Sequence, residues 1–129
     1  IKKRDFWMPF TPSMLSEDKN KFYVDSKNLN ADFMCMAFET TDFGRKNLKA
    51  AIHPSDFTIR PQTVKKKDNE GYYNLIKSFK KITKVGALLN TSLNLHGMPI
   101  AMDHIDALYI LENSDLDAMV FDKVIVIKK

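Results

Sequence analysis

The run Ala87-Leu88-Leu89 stops abruptly at Asn90-Thr91-Ser92-Leu93-Asn94-Leu95-His96-Gly97. That change of character does more than any other feature to limit the folds open to this chain. The apolar residues suit a buried strand, and the small polar side chains behind them bond readily to nearby backbone or to a ligand. A buried strand that hands such groups to its carboxyl end builds the crevice of an open α/β sheet, where ligands bind. The same groups also satisfy the backbone of a tight turn, so local chemistry leaves both readings open.

The neighbouring segments alternate in the same sense. Thr11 followed by Pro12 reads as a helix start, a hydroxyl cap with proline in the first turn, leading through Met14 and Leu15 towards Phe22. Phe33 to Phe38 reads as a buried strand, with Cys35, Met34 and Met36 as core filling. A short helix is expected over Arg45 to Ala51. Phe57 to Val64 has the two-residue period of a strand, with Pro61 marking an edge or a bulge. Lys65 to Gly71 reads as a loop. Tyr72, Leu75, Ile76, Phe79 and Ile82 recur at helical spacing and predict a helix over Tyr72 to Thr83. A strand at Gly86 to Leu89, a helix capped by Asp103 and a closing strand at Val124 to Ile127 complete the pattern. These expectations add up to one α/β (α+β) domain, a twisted mixed sheet with helices packed on it.

Size and charge narrow the class. At 129 residues and 44% apolar, the chain is long enough for one core and too short for two. No stretch of about 18 apolar residues occurs, so no membrane span is expected. Cys35 is the one cysteine, which forbids an intrachain disulfide and points to a reducing cytoplasm. The chain opens on Ile1-Lys2-Lys3-Arg4 with neither an initiator methionine nor a signal stretch, so a fragment of a longer polypeptide is expected. Such a fragment would expose an apolar patch, and a homodimer is one outcome. Of the basic clusters, Lys77, Lys80, Lys81 and Lys84 read as the solvated side of a helix. Lys2-Lys3-Arg4 differs, because Phe6, Trp7, Pro9 and Phe10 follow at once and would anchor the cations for a phosphorylated ligand.

Three blocks carry a resemblance: K-x-R-D-x-W-x-P-F-x-P-S from Lys2, H-x-x-D-x-T-x-R-x-Q-x-V from His53, and L-L-N-T-S-x-N-x-x-G-x-P-I from Leu88. In this order they resemble the carboxyl-terminal, YrdC-like module of the O-carbamoyltransferases of nodulation-factor and antibiotic biosynthesis. The resemblance runs from Lys2 to about Lys128. It implies a YrdC-like fold and a preceding transferase domain. It further implies a reaction in which this module makes carbamoyl-adenylate from carbamoyl phosphate and ATP, with Mg2+ arriving on the nucleotide. The carbamoyl group would then pass to a hydroxyl of a sugar or other metabolite. By resemblance the site contains the cations Lys2, Arg4 and Arg60 together with Ser92 and Asn94. His53, Asp56, Thr58, Gln62 and Thr91 stand behind them, as ligand contacts or as braces of a loop.

Two positions depart from the family pattern. Met8 stands where many members carry arginine, and Met98 where many carry glutamate. His53, His96 and His104 form no close ligand pair, so no metal site is expected. No G-x-S-x-G elbow, P-loop or Cys-His pair suggests a nucleophile. Two rivals remain. One is a nucleic-acid-binding module, favoured by a pI near 9.1 and opposed by 16 interspersed acidic residues. The other is a catalytically silent interaction domain, which gains from Met8 and Met98.

Overall fold

A computed structural model describes residues 2–5 and 7–129. They fall into two compact units, one of residues 7–91 and one that joins residues 2–5 to 92–129.

The larger unit begins with strand β1 (Thr11–Leu15), a single 3-10 turn, helix α1 (Lys19–Phe22), strand β2 (Phe38–Glu39) and helix α2 (Asp42–Asn47). Strands β3 (Thr58–Ile59) and β4 (Gln62–Val64), helix α3 (Glu70–Thr83) and strand β5 (Ala87–Asn90) follow. The main sheet has the order β4-β1-β5 and is mixed. β1 runs parallel to β4, with Ser13 opposite Gln62 and Leu15 opposite Val64. It runs antiparallel to β5, with Thr11 opposite Asn90 and Ser13 opposite Leu88. Because side chains alternate along a strand, Thr11, Ser13, Leu15, Gln62, Val64, Leu88 and Asn90 share one face. α3 covers the apolar end of that face, where Ile76 is fully buried against Leu15 and Val64 with Tyr72, Tyr73 and Leu88 around it. Burying Ile76 contributes about 2 kcal/mol. Met14 and Ala87 pack on the other face, in a core with Phe22, Tyr23, Phe38 and Ile59.

The smaller unit holds helix α4 (His104–Glu112) and the hairpin of β6 (Ala118–Phe121) and β7 (Val124–Ile127). Asp103 caps α4 through Oδ1, which accepts from the amides of Ile105 and Asp106 at 2.8 and 3.0 Å.

The mixed α/β architecture read from the sequence is the one found, but several elements differ. Thr11-Pro12 opens a strand, not a helix: all five residues of β1 are buried between two neighbouring strands, and burial on both faces overrides the cap-and-proline signal. Of the expected Phe33 to Phe38 strand, only Phe38 pairs. Phe33, Cys35 and Met36 are exposed, and Met34, at φ 58°, breaks the extended run. The Phe57 to Val64 strand splits at Arg60-Pro61. Thr58–Ile59 pairs with β2, and Gln62–Val64 joins the main sheet. Pro61 cannot donate to a ladder, which explains the break.

Shifts elsewhere are smaller. The Arg45 to Ala51 helix is α2, begun earlier at the Thr41 cap, followed by a separate 3-10 turn. α3 starts at Glu70 and β5 includes Asn90, while β6 had no expectation. The apolar stripe of α3 is only partly core, since Ile82 is 83% exposed. Lys80 is no solvated lysine. It pairs at 2.5 Å with buried Asp18, which Lys21 also reaches at 2.9 Å.

Candidate functional site

Lys2 reaches across ninety positions of sequence to the polar loop. Its Nζ donates to the Ser92 carbonyl at 2.7 Å, the Asn94 carbonyl at 2.9 Å and Asn94 Oδ1 at 2.7 Å. An ammonium has three donors, and here all three meet loop oxygens. The loop itself is braced. Ser92 Oγ donates to Asn94 Oδ1 at 2.7 Å, and Asn94 Nδ2 donates to the Met98 carbonyl at 2.7 Å. Gly97 takes φ +80° between the Leu95–Met98 and Leu93–Ala101 backbone bonds, a conformation that favours glycine. The S-x-N spacing therefore places serine and asparagine on either side of one captive cation. Burial lowers the pKa of Lys2 below the ordinary lysine value, and the like charge of Arg4 lowers it further. Phe6, expected to anchor this cluster, lies outside the described residues.

Met98 keeps its part in the brace because the contact uses its backbone carbonyl, which any side chain would leave available. Met8 is exposed.

His53, Asp56 and Thr58 also come together, in the larger unit. Asp56 Oδ1 accepts from the Thr58 amide at 2.9 Å and the Thr58 hydroxyl at 2.8 Å, and His53 Nδ1 lies 3.4 Å away. The two Thr58 bonds, backbone first, hold the Asp56 carboxyl below its usual range. His53 and Thr58 close the loop by a backbone bond at 2.9 Å, and Phe57 takes φ 57° inside it. This geometry braces the chain just ahead of Arg60. The Arg60 side chain is exposed and makes no hydrogen bond or ion pair among the described residues. Thr91 is exposed at the end of the larger unit.

Gln62 belongs to a different group. Its Oε1 accepts from Ser13 Oγ at 2.7 Å and from Asn90 Nδ2 at 3.0 Å, and Asn90 Nδ2 also lies 3.0 Å from Ser13 Oγ. Each of the three strands of the main sheet supplies one member. Ser13 and Asn90 were not among the expected site residues. The signal was present in the alternation of Thr11, Ser13 and Leu15, but it is visible only once that segment is taken as a strand. Among the described residues, no group of three or more His, Cys, Asp or Glu side chains is placed to hold a metal. Among the same residues, no helix is long and apolar enough to cross a membrane.

Comparison with known proteins decides the family. The model of the carbamoyltransferase C-terminus matches residues 1–128. The chain belongs to the carbamoyltransferase C-terminus family. Among its relatives are the nodulation protein NolO of Bradyrhizobium diazoefficiens and the nodulation protein NolNO of Sinorhizobium fredii, each 35% identical over the whole of this chain. An uncharacterized protein of Methanocaldococcus jannaschii is 37% identical, again over the whole chain. The chain spans only 24%, 19% and 21% of those three proteins, so it corresponds to about a fifth to a quarter of a relative's length.

Proposed function

We propose that this family member serves a carbamoyltransferase by forming carbamoyl-adenylate from carbamoyl phosphate and MgATP. The carbamoyl group would then go to a hydroxyl of a sugar or secondary metabolite. The balance needs one water: carbamoyl phosphate releases phosphate, and a carbamate oxygen displaces pyrophosphate from the α-phosphorus of ATP. Two polyanions must therefore meet against their mutual repulsion, which calls for fixed cations and neutral donors.

The observation that carries this reading is the capture of Lys2 by the Ser92–Asn94 loop. A cation held by three loop oxygens, its pKa lowered first by burial and then by the like charge of Arg4, is stabilised further by a nearby anion. Ser92 Oγ spends its proton on Asn94 and keeps lone pairs free for a metal-bound water or a ligand N–H. Mg2+ would be held mainly by phosphate and water.

The test is carbamoyl-phosphate-dependent release of pyrophosphate from ATP by the full-length protein. Lys2→Met removes the charge and keeps the stem, and should cut kcat/KM by about a thousandfold, on the scale of losing a cation that stabilises charge developing in the transition state. Arg60→Ala should abolish release as well, with the fold intact by circular dichroism. Ser92→Ala should cost about tenfold, the scale of one neutral hydrogen bond. Wild-type rates in a folded Lys2→Met protein would overturn the assignment.

A further inference from the structure

The helix-covered face of the main sheet is half apolar and half polar. Leu15, Val64 and Leu88 fill the half beneath Ile76, while Ser13, Gln62 and Asn90 occupy the other half. Ser13 is completely buried, and Gln62 and Asn90 are half-buried. Three neutral side chains from three strands could form a closed network in which every valence is used inside. This one is not closed.

Each atom can be followed. Ser13 Oγ gives its proton to Gln62 Oε1 and receives one from Asn90 Nδ2. Gln62 Oε1 takes a second bond from Asn90 Nδ2, which also lies 3.6 Å from Met34 Sδ. All these bonds use one oxygen of Gln62 and one nitrogen of Asn90. The Gln62 Nε2 donors and the Asn90 Oδ1 acceptor have no partner among the described residues. The network thus fixes both amide planes through their inner atoms and leaves one donor group, the two N–H of Gln62 Nε2, and one acceptor, Asn90 Oδ1, unspent on one face.

We propose that Gln62 and Asn90 read the planar edge of a ligand in which an amino group adjoins an acceptor, with Ser13 as the positioning residue that locks both amides. A planar donor–acceptor pair is complemented by such an edge, as paired amide contacts to a base edge illustrate. Two ligands of the proposed reaction carry that chemistry: the amide-like head of carbamoyl phosphate, an amino group on a carbonyl, and the adenine edge of ATP with its amino group beside a ring nitrogen. Naming those ligands rests on the function proposed above. The unspent pair itself does not.

The discriminating variant is Gln62→Glu. It keeps the Oε1 acceptor for Ser13 and Asn90 and replaces the outward donors by a charged acceptor. Binding to the full-length protein is measured by calorimetry, without turnover, for carbamoyl phosphate against acetyl phosphate and for ATP against ITP. Acetyl phosphate lacks the amino group, and ITP replaces the adenine amino group by a carbonyl. Ratios within one protein cancel the general repulsion of a new carboxylate. The wild type should prefer the cognate member of one pair by about tenfold, and Gln62→Glu should bring that ratio close to one. Collapse of the carbamoyl/acetyl ratio assigns the pair to the carbamoyl head, and collapse of the ATP/ITP ratio assigns it to adenine. Unchanged ratios in a variant with wild-type Tm would overturn the proposal, as would a wild type that binds none of the four. Ser13→Ala should weaken the same ratio while leaving the other untouched. A wild type that releases no pyrophosphate yet shows the ratio change would refute the adenylation reading and leave this one standing.

Discussion

Asp18 shows how much one side chain decides in this protein. Burial by itself would raise its pKa, but the contacts with Lys80 and Lys21 prevail and hold the carboxyl below its usual range. The folded pKa is therefore lower than the unfolded value of about 3.9. Stability from this group is fully present above that value and is lost as pH falls through the folded pKa. Asp32 behaves alike, its burial overcome by Lys65 and Thr63. An acid titration of stability should show this loss below about pH 4, and Asp18→Asn should flatten it. Gly86 lies against the same carboxylate, and a Cβ there would collide with Asp18 Oδ2. Gly86→Ala should cost about 2 kcal/mol in urea denaturation, and Asp18→Ala about 2, the scale of lost hydrogen bonds to a charged group whose lysine partners reach solvent. In the Asp18→Ala background the Gly86→Ala cost should drop below about 1 kcal/mol, because the obstructing oxygen is gone. Additive costs would show that the two residues act separately.

At the scale of elements, the sequence was clearest where a local signal and the burial pattern agreed. α3 has both. Asn69 Oδ1 accepts from the Tyr72 amide at 3.0 Å, and the helix ends on Lys84 in the left-handed region at φ 66°. Lys84→Gly relieves that conformation and should raise stability by a few tenths to about 1 kcal/mol, read as a higher Tm, whereas Asn69→Ala should cost about 1 kcal/mol. α4 was equally legible, from Asp103 and the apolar positions behind it. The failures came where tertiary burial chose between local alternatives. Thr11-Pro12 carries a real helix-start signal, yet its position between β4 and β5 makes it a strand, and no local pattern contains its neighbours. Phe33, Met34, Cys35 and Met36 are apolar without being core, so composition misled there. The same limit governed the site. Lys2, Ser92 and Asn94 were expected from the family resemblance, and the structure brings the three into contact. Ser13 and Asn90 were missed because their relation to Gln62 exists only across strands.

For the whole molecule, the question is which polyanion the cations serve. A net charge of +4 comes from 20 basic and 16 acidic residues, many already paired within the chain. That balance leaves little uniform field for a nucleic-acid backbone, whereas Lys2 is held in one geometry by one loop. Hydrogen exchange can separate the two cases. The amides of Met98 and Ala101 are bonded to Leu95 and Leu93, and opening that loop also disturbs the oxygens that hold Lys2. A ligand bound there must be released before the loop opens, so ATP at a hundred times its Kd adds about 2.7 kcal/mol to local opening. In the full-length protein, exchange at Met98 and Ala101 should slow about a hundredfold with MgATP, and Lys2→Met should abolish the effect. A single-stranded oligonucleotide at the same phosphate concentration should leave both amides unchanged. Protection by the oligonucleotide with a steep loss at higher salt, and none by ATP, would reverse the assignment and make the loop a clamp for a nucleic-acid strand.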